Sequence, residues 1–493
     1  MLLPNFDILN LRKDLLVVMI KWLLHILVFL FFVSCSTSRT SAILSGVHII
    51  NINTGAVGPL VDIHVSDGVV LRITEHDPDT SGDSVYQLDS AFVIPGLWDM
   101  HAHPDDPEVW RMNPRRESRD KLMPQFVLNG VLGIRDMGGS LEEVKRWRTM
   151  RQRGQLVVPE IVAAGPLLDG PNPMWDGSVG IASQEVATHV IDSLLGEGVD
   201  FLKIYSLLPR ETYFAVAKYA NDIHVPFAGH VPYAVTPTEA AQSGMKSQEH
   251  LLEILKECSN YDSLVGAKVF DPSNYNGVER YIAVNEFMIS HFDSIKFKSM
   301  LKVFRSTSTW ICPTVSMWFK NAWFERERIR DDSLWQYLPA YLKRYWTADE
   351  NDHLKNRDNS QFIEIKKKLV SLYGYMVKEM SENEIPLLSG TDTGANPLCW
   401  PGVGVVNELV MLSEMGVSNL KALQSATVNP VVYLGLQDSL GDVSAGKKAE
   451  ILVLKENPLT NLSALRGLIG IFHDNRFYTA EERKRLLELT KSF

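Results

Sequence analysis

The residues with the clearest chemical potential open in "LWDMHAHPDD", residues 98–107, where His101 and His103 stand one residue apart at the end of the apolar run "AFVIPGLWDM". Alternate residues of a strand point to the same face. In a strand, therefore, these two imidazoles converge on one point, and a convergent imidazole pair is a ready ligand set for a divalent ion such as zinc. The pair alone is a common motif, and its companions carry the argument. Lys203 in "DFLKIYS", His230 in "VPFAGHV", His250 in "SQEHL" and Asp392 in "LLSGTDTG" each stand at or near the carboxyl end of a short apolar run. Taken singly, either histidine also reads as a hydrogen-bonded core residue and Asp392 as a cap. As a set they describe one polar mouth.

The elements that must position these groups follow from the hydrophobic pattern. Eight apolar runs recur between helical stretches: "FVIPGLWDMHAH", "GVLGIRDMG", "EIVAAGPLL", "DFLKIYS", "VPFAGHV", "SQEHL", "TWICPTVSM" and "PLLSGTDTG". Continuous rather than alternating apolar runs indicate buried parallel strands, joined by right-handed helical crossovers. The expected fold class is α/β, a (β/α)8 TIM barrel over residues 93–434, with the site at the carboxyl ends of its strands. Residues 258–385 hold one of these strands and otherwise look helical. Trp318, Phe319, Trp323, Phe324, Trp335, Tyr337, Tyr341, Tyr345 and Trp346 crowd there, either as a lid over the barrel mouth or as plain helix packing.

Both chain ends read as β structure. "ILSGVHIINI" and "VDIHVSDGVVLRIT" flank Asp67-Gly68, a hairpin signal because both turn positions want positive φ. "AEILVL" and "LIGIFHDNRFYT" repeat the pattern near the other end, so a small β-sandwich is expected from residues 36–92 and 435–480. Thr479 and Glu482 form a capping-box pattern that opens a C-terminal helix over 481–493.

A chain of 493 residues with 45% apolar and 22% charged residues is that of a globular protein with a real core. Its net charge of -10, without a dense Lys/Arg stripe, argues against nucleic acid as a partner and for a small molecule. "MIKWLLHILVFLFFVSCSTS" combines a basic start, an apolar run from Trp22 to Val33 and small residues, the pattern of an export signal over 1–35, with Met19 as a candidate start. "FVSC" resembles the lipobox of bacterial lipoproteins, which makes Cys35 the lipidated residue; an uncleaved signal anchor is the other reading. Either places the body at the cell envelope, exported and membrane-anchored. Cys258, Cys312 and Cys399 show no C-x-x-C spacing and read as buried thiols.

In order and context, "IPGLWDMHAH", "GVLGIRDMGG", "GVDFLKIY", "GHVPYA", "SQEHL", "SGTDTG" and "SAGKKAEILVLKENPL" resemble the amidohydrolase superfamily, in the branch grouping imidazolonepropionase-like enzymes with metal-dependent prolidase-like peptidases. The resemblance spans about residues 40–480. It implies a metal-dependent hydrolase whose ligands are His101 and His103 on strand 1, Lys203 on strand 4, His230 on strand 5, His250 on strand 6 and Asp392 on strand 8. It further implies that carbon dioxide carboxylates Lys203, giving an anion that bridges two divalent ions, Zn2+ by expectation. That reaction needs the neutral amine, which burial favours. An uncarboxylated Lys203 would leave one ion. Two ions acidify a shared water and polarise a carbonyl, Asp392 serves as general base and then acid toward the leaving nitrogen, and Tyr233 in "HVPY" either donates to the oxyanion or packs as a loop residue. Asp136 reads as a supporting or structural residue. The chain departs from the family at Val405 to Asn407, where relatives often carry a histidine, and at Glu450, where aspartate is usual.

The expected activity is hydrolysis of C–N amide bonds in small peptides, dipeptidase or prolidase-like. A mononuclear cyclic amidase or deaminase, imidazolonepropionase-like, and a non-catalytic surface lipoprotein are the alternatives. Retention of all six ligand positions speaks against the last.

Overall fold

A computed structural model describes residues 41–82, 84–106, 116–323, 333–347, 351, 354–394 and 396–491. The expected export segment with Cys35, and Phe324 of the aromatic group, lie outside the described residues.

At the amino end the alternating runs form β1 (Ser41–Ile50), β2 (Val57–Ser66), β3 (Val69–Glu75) and β4 (Val85–Pro95). The β2–β3 turn has φ of 52° at Asp67 and 72° at Gly68, the left-handed pair that the Asp-Gly signal demands. From the other end β14 (Ile451–Leu454), β15 (Leu468–His473) and β16 (Arg476–Thr479) join them in the order β16-β15-β14-β4-β1-β2-β3. The two ends thus meet as expected, but in one seven-stranded mixed sheet instead of two stacked sheets. The reason is edge pairing: β14 runs antiparallel to β4, with Val453 opposite Val93, and fuses what would have been separate layers. Register shifts in the β1–β2 pairing bend the sheet. Val70 N–H donates to Lys447 O and Ala449 N–H to Gly68 O, so the β2–β3 hairpin folds back toward β14 around a shared core of Leu44, Ile63, Val93, Val453 and Phe472.

The central region carries the parallel strands. β5 (Leu97–Ala102), β6 (Val131–Asp136) and β7 (Glu160–Ala163) form one sheet. A second holds β8 (Leu168–Asp169), β9 (Val179–Gly180), β10 (Leu202–Ile204), β11 (Phe227–Gly229), β12 (Ser247–Glu249) and β13 (Trp310–Cys312). Every residue of β5, β6, β10, β11 and β12 is buried, as continuous apolar runs require. The sheets approach through Asp200 N–H donating to Ala163 O at 2.8 Å. On the other side the segment 387–393, expected as the eighth strand, makes single parallel bridges from Leu387 to Ile311 and from Thr393 to Ala102. The strands therefore stand as two parallel sheets with bridged seams.

Among the described residues of 258–385 the other elements are helices, and aromatic residues pack among them: Tyr341, Tyr345 and Trp346 are buried, Trp346 edge-on to Trp400 with centroids 4.9 Å apart. The helix Ala480–Thr490 starts on Thr479, whose hydroxyl accepts from Glu482 N–H, and Arg483 bonds Leu128 O at 2.7 Å across to the α/β region. Glu450 accepts from His473 Nδ1 at 2.6 Å while Nε2 of that ring reaches Val158 O at 3.0 Å, tying sheet to α/β region. Cys258, Cys312 and Cys399 are buried and unbonded. No helix among the described residues is long and apolar enough to cross a membrane.

Candidate metal centre

His101 and His103 leave β5 on one face, with Nε2 atoms 3.3 Å apart. Each Nε2 faces Asp392 Oδ1, at 3.3 and 3.4 Å, and His250 Nε2 lies 4.0 Å from Asp392 Oδ2. The His250 ring is 4.8 Å from those of both His101 and His230, measured between centroids. Lys203, on β10, is 1% exposed and its Nζ has no hydrogen-bond partner.

Each imidazole is fixed from behind. Nδ1 of His101 meets Glu249 Oε2 at 2.9 Å, that of His103 meets Gly138 O at 3.1 Å, that of His230 meets Ser206 Oγ at 3.0 Å and that of His250 meets Thr314 Oγ1 at 2.7 Å. Ionised carboxylates and carbonyls only accept, so His101 and His103 carry their protons on Nδ1 in the neutral ring and offer a lone pair on Nε2. This outer shell is what a metal site needs to hold its ligands in one tautomer and one orientation.

Backbone conformation adds to the arrangement. His250 and Asp392 both adopt positive φ, 64° and 55°, an uncommon state for residues with side chains and one that collects at functional sites. Main-chain bonds hold it: His250 N–H to Cys312 O at 2.9 Å and Asp392 N–H to His101 O at 2.7 Å. Gly229, just before His230, has φ of 137°, and a Cβ there would stand 2.2 Å from Ile204 O and 2.9 Å from Lys203 Cδ. The glycine is what lets β11 pass the lysine.

Electrostatics follow from burial. Desolvation lowers the Lys203 ammonium to about 8, within reach of the neutral amine. Burial opposes ionisation of Asp392, yet His101, His103 and His250 outweigh it and hold the carboxyl well below its ordinary range. Glu249 behaves likewise, with burial outweighed by Arg135 and His101. Burial lifts Asp136 to about 7; its Oδ1 accepts from Gly138 N–H at 3.2 Å, behind the carbonyl that holds His103.

Three supporting residues were not visible in the sequence. Arg135 grips Glu249 through Nη2 at 2.8 and 3.0 Å, and through Nη1 bonds Ser247 and Tyr433, all fully buried. Asn396 donates to Asp392 Oδ2 at 2.9 Å. Glu408 accepts from the N–H groups of Val315 and Ser316 at 2.9 and 2.6 Å, just after the Thr314 that holds His250. Of these, only the charged Arg135 inside an apolar strand was a signal, and its side-chain partners lie more than a hundred residues away.

A cleft of about 260 Å³ opens onto His103, His230, His250 and Asp392, walled by Leu167, Trp175, Tyr205, Tyr233, Met317 and Trp318. Tyr233 is 51% exposed on that wall. Among the described residues of the aromatic group, Trp318 is the one that reaches the cleft. Val405 and Val406 are buried, and Asn407 accepts from Arg466 at 2.8 Å, so that departure does not line the cleft.

The donor set fits a divalent ion: imidazole nitrogens and a carboxylate oxygen whose atoms in His101, His103 and Asp392 lie within 4.8 Å of one another, beside a buried amine without a partner.

An α/β protein with such a cluster at its strand ends has clear structural likenesses. The chain superposes on a bottromycin amidohydrolase with a TM-score of 0.72 at 23% identity, covering 92% of this chain and 90% of that one. A putative prolidase from Bifidobacterium longum gives 0.63 at 19%, covering 91% and 98%. A Xaa-Pro dipeptidase with bound methionine in the active site gives 0.62 at 18%, covering 89% and 100%. Residues 375–475 match the Amidohydrolase family. Among the curated proteins none matches this sequence. The match over residues 375–475 and the shared fold make the chain similar to amidohydrolases.

Proposed function

We propose that this chain is a metal-dependent hydrolase of amide bonds in small peptides. The meeting of His101, His103 and His250 at Asp392, with His103, His230, His250 and Asp392 opening on one cleft and the unpartnered Lys203 amine buried on the strand paired with β11, is the observation that carries the reading. In it the two parallel sheets and the segment 387–393 work as one (β/α)8 barrel, whose strands deliver ligands at their carboxyl ends. His101, His103, His230, His250, Lys203 and Asp392 would hold two divalent ions, zinc by donor type, with the Lys203 amine carboxylated to serve as an anionic ligand.

Such ions supply Lewis acidity, lowering the pKa of a water and polarising the amide carbonyl. The chain supplies the proton path and the orientation. Asp392, with Oδ1 toward His101 and His103 and Oδ2 held by Asn396, accepts the proton of the attacking water and returns it to the leaving nitrogen. Tyr233 on the cleft wall donates to the developing oxyanion. The aromatic wall excludes water from an apolar substrate group. The body is exported and held at the cell envelope by lipid on Cys35.

A library of small peptides with free and blocked ends, offered to zinc-loaded protein beginning at Ser36, tests this. Hydrolysis that falls ~100-fold or more in Asp392→Asn supports it, since a positioned acid–base group contributes at that scale. Turnover of aminated heterocycles alone would favour the mononuclear deaminase instead.

A further inference from the structure

Outside its metal ligands the cleft wall carries the wrong charge to receive a carboxylate. Asp106 and Glu253 line it, Glu249 there is already paired with Arg135, and among the described residues no arginine or lysine lines it. Glu253 stands in the first turn of the helix Leu252–Cys258, immediately beyond His250. Lys256, one turn further on, does not offset it: its Nζ lies 3.6 Å from Glu253 and 3.3 Å from Asp262, one cation between two carboxylates. The remaining wall is apolar or aromatic, with Leu167, Trp175, Val231, Met317 and Trp318.

Away from the metal ligands, a substrate carboxylate would lose hydration, meet Asp106 and Glu253 and find no cationic side chain among the described residues of the wall. An ammonium group would find Glu253. Burial raises the Glu253 carboxyl above its ordinary range, a shift that an arriving cation reverses.

Resting on the amide-hydrolase reading above, we propose that the substrate is an amide with an apolar or aromatic outer part, bearing a protonated amino group received by Glu253 and no free carboxylate. Free dipeptides, whose carboxylate lies next to the scissile bond, are thereby disfavoured. Peptides blocked at the carboxyl end, and aminoacyl amides, are favoured.

Three matched compounds test this on the zinc-loaded chain: phenylalanyl-phenylalanine amide, its free acid, and its N-acetylated amide. The amide with the free amino group is expected to exceed each of the others by ~10-fold or more in kcat/KM, and in Glu253→Gln its advantage over the acetylated compound is expected to fall below ~3-fold. A free acid cleaved as well as the amide, or an advantage unchanged in Glu253→Gln, would overturn the proposal. Should none be cleaved, the hydrolytic reading fails for this class, and calorimetric Kd values on the same protein still decide the charge preference. An amide ~10-fold tighter than the acid upholds it, and equal or weaker binding overturns it.

Discussion

Glu249 Oε2 lies 2.9 Å from Nδ1 of His101, both side chains fully buried, and the same carboxylate is held from its far side by Arg135. His101 is thus oriented by an anion that is itself fixed by a cation, a three-residue chain from the back of the site to its ligand face.

Replacing the carboxylate by an amide separates these roles. Glu249→Gln keeps the shape but leaves the buried Arg135 without its counter-charge, so it is expected to lose ~3 kcal/mol or more of unfolding free energy. Metal affinity should also fall by roughly 10- to 100-fold, the usual cost of losing an outer-shell partner. Chemical denaturation and metal titration of the same preparation read both. Unchanged affinity would show that His101 needs no such support.

On the proposed reading, Lys203 sets the number of ions. Because its Nζ is buried and unpartnered, Lys203→Ala removes a would-be bridge without breaking a hydrogen bond, and zinc content is expected to drop from two ions per chain toward one, with hydrolysis reduced by ~100-fold or more. Lys203→Arg should lose as much, since a guanidinium cannot be deprotonated. Elemental analysis that finds the wild-type content in both variants would remove Lys203 from the ligand set.

Gly229 should tolerate no side chain. Its φ of 137° and the 2.2 Å approach that a Cβ would make to Ile204 O put strain into β11 beside Lys203. Gly229→Ala is therefore expected to cost ~2 kcal/mol or more and to weaken zinc retention. A thermal scan and metal content check it, and a neutral outcome would show that β11 can shift without disturbing the ligands.

Acid stability of the seven-stranded sheet should depend on Asp62. Burial would raise this carboxyl, but bonds from His76 Nδ1 at 2.8 Å, Asp77 N–H at 3.1 Å, Gly46 N–H at 2.9 Å and Ser45 Oγ at 2.9 Å outweigh it and hold it at about 2. A carboxyl lowered in the folded state stabilises above its unfolded pKa near 4, and that contribution fades as pH falls through about 2. It amounts to about 2 kcal/mol. Denaturation profiles from pH 6 to pH 2 should therefore be flatter for Asp62→Asn than for wild type in the lower half. Parallel profiles would contradict the assignment.

What the sequence revealed and what it hid divide along range. Local patterns were legible: the His101-x-His103 spacing at a buried strand, the paired positive φ at Asp67 and Gly68, the Thr479 cap, Lys203 on a buried strand and the positions of His230 and His250 just past β11 and β12 all depend on a few neighbours. Long-range partners were not. Glu249 is 114 residues from Arg135, and Tyr433 is 298 from it, so no spacing announces their contact. The same limit explains the terminal sheet, where alternation shows that strands exist but not that β4 and β14 pair and merge two expected layers into one. Within "LLSGTDTG" the apolar run suggested a full strand, whereas the chain there makes only single bridges, its backbone turning through positive φ at Asp392 to aim the carboxylate.

The central claim, that residues from strand ends across the chain jointly bind divalent cations, is tested most directly by counting metal. Protein beginning at Ser36, stripped with chelator, resupplied with zinc and bicarbonate and freed of excess ion, is expected to retain two zinc ions per chain, and His101→Asn/His103→Asn to retain fewer than one. Wild-type protein that holds no zinc, or a double variant that holds as much as wild type, would contradict the account.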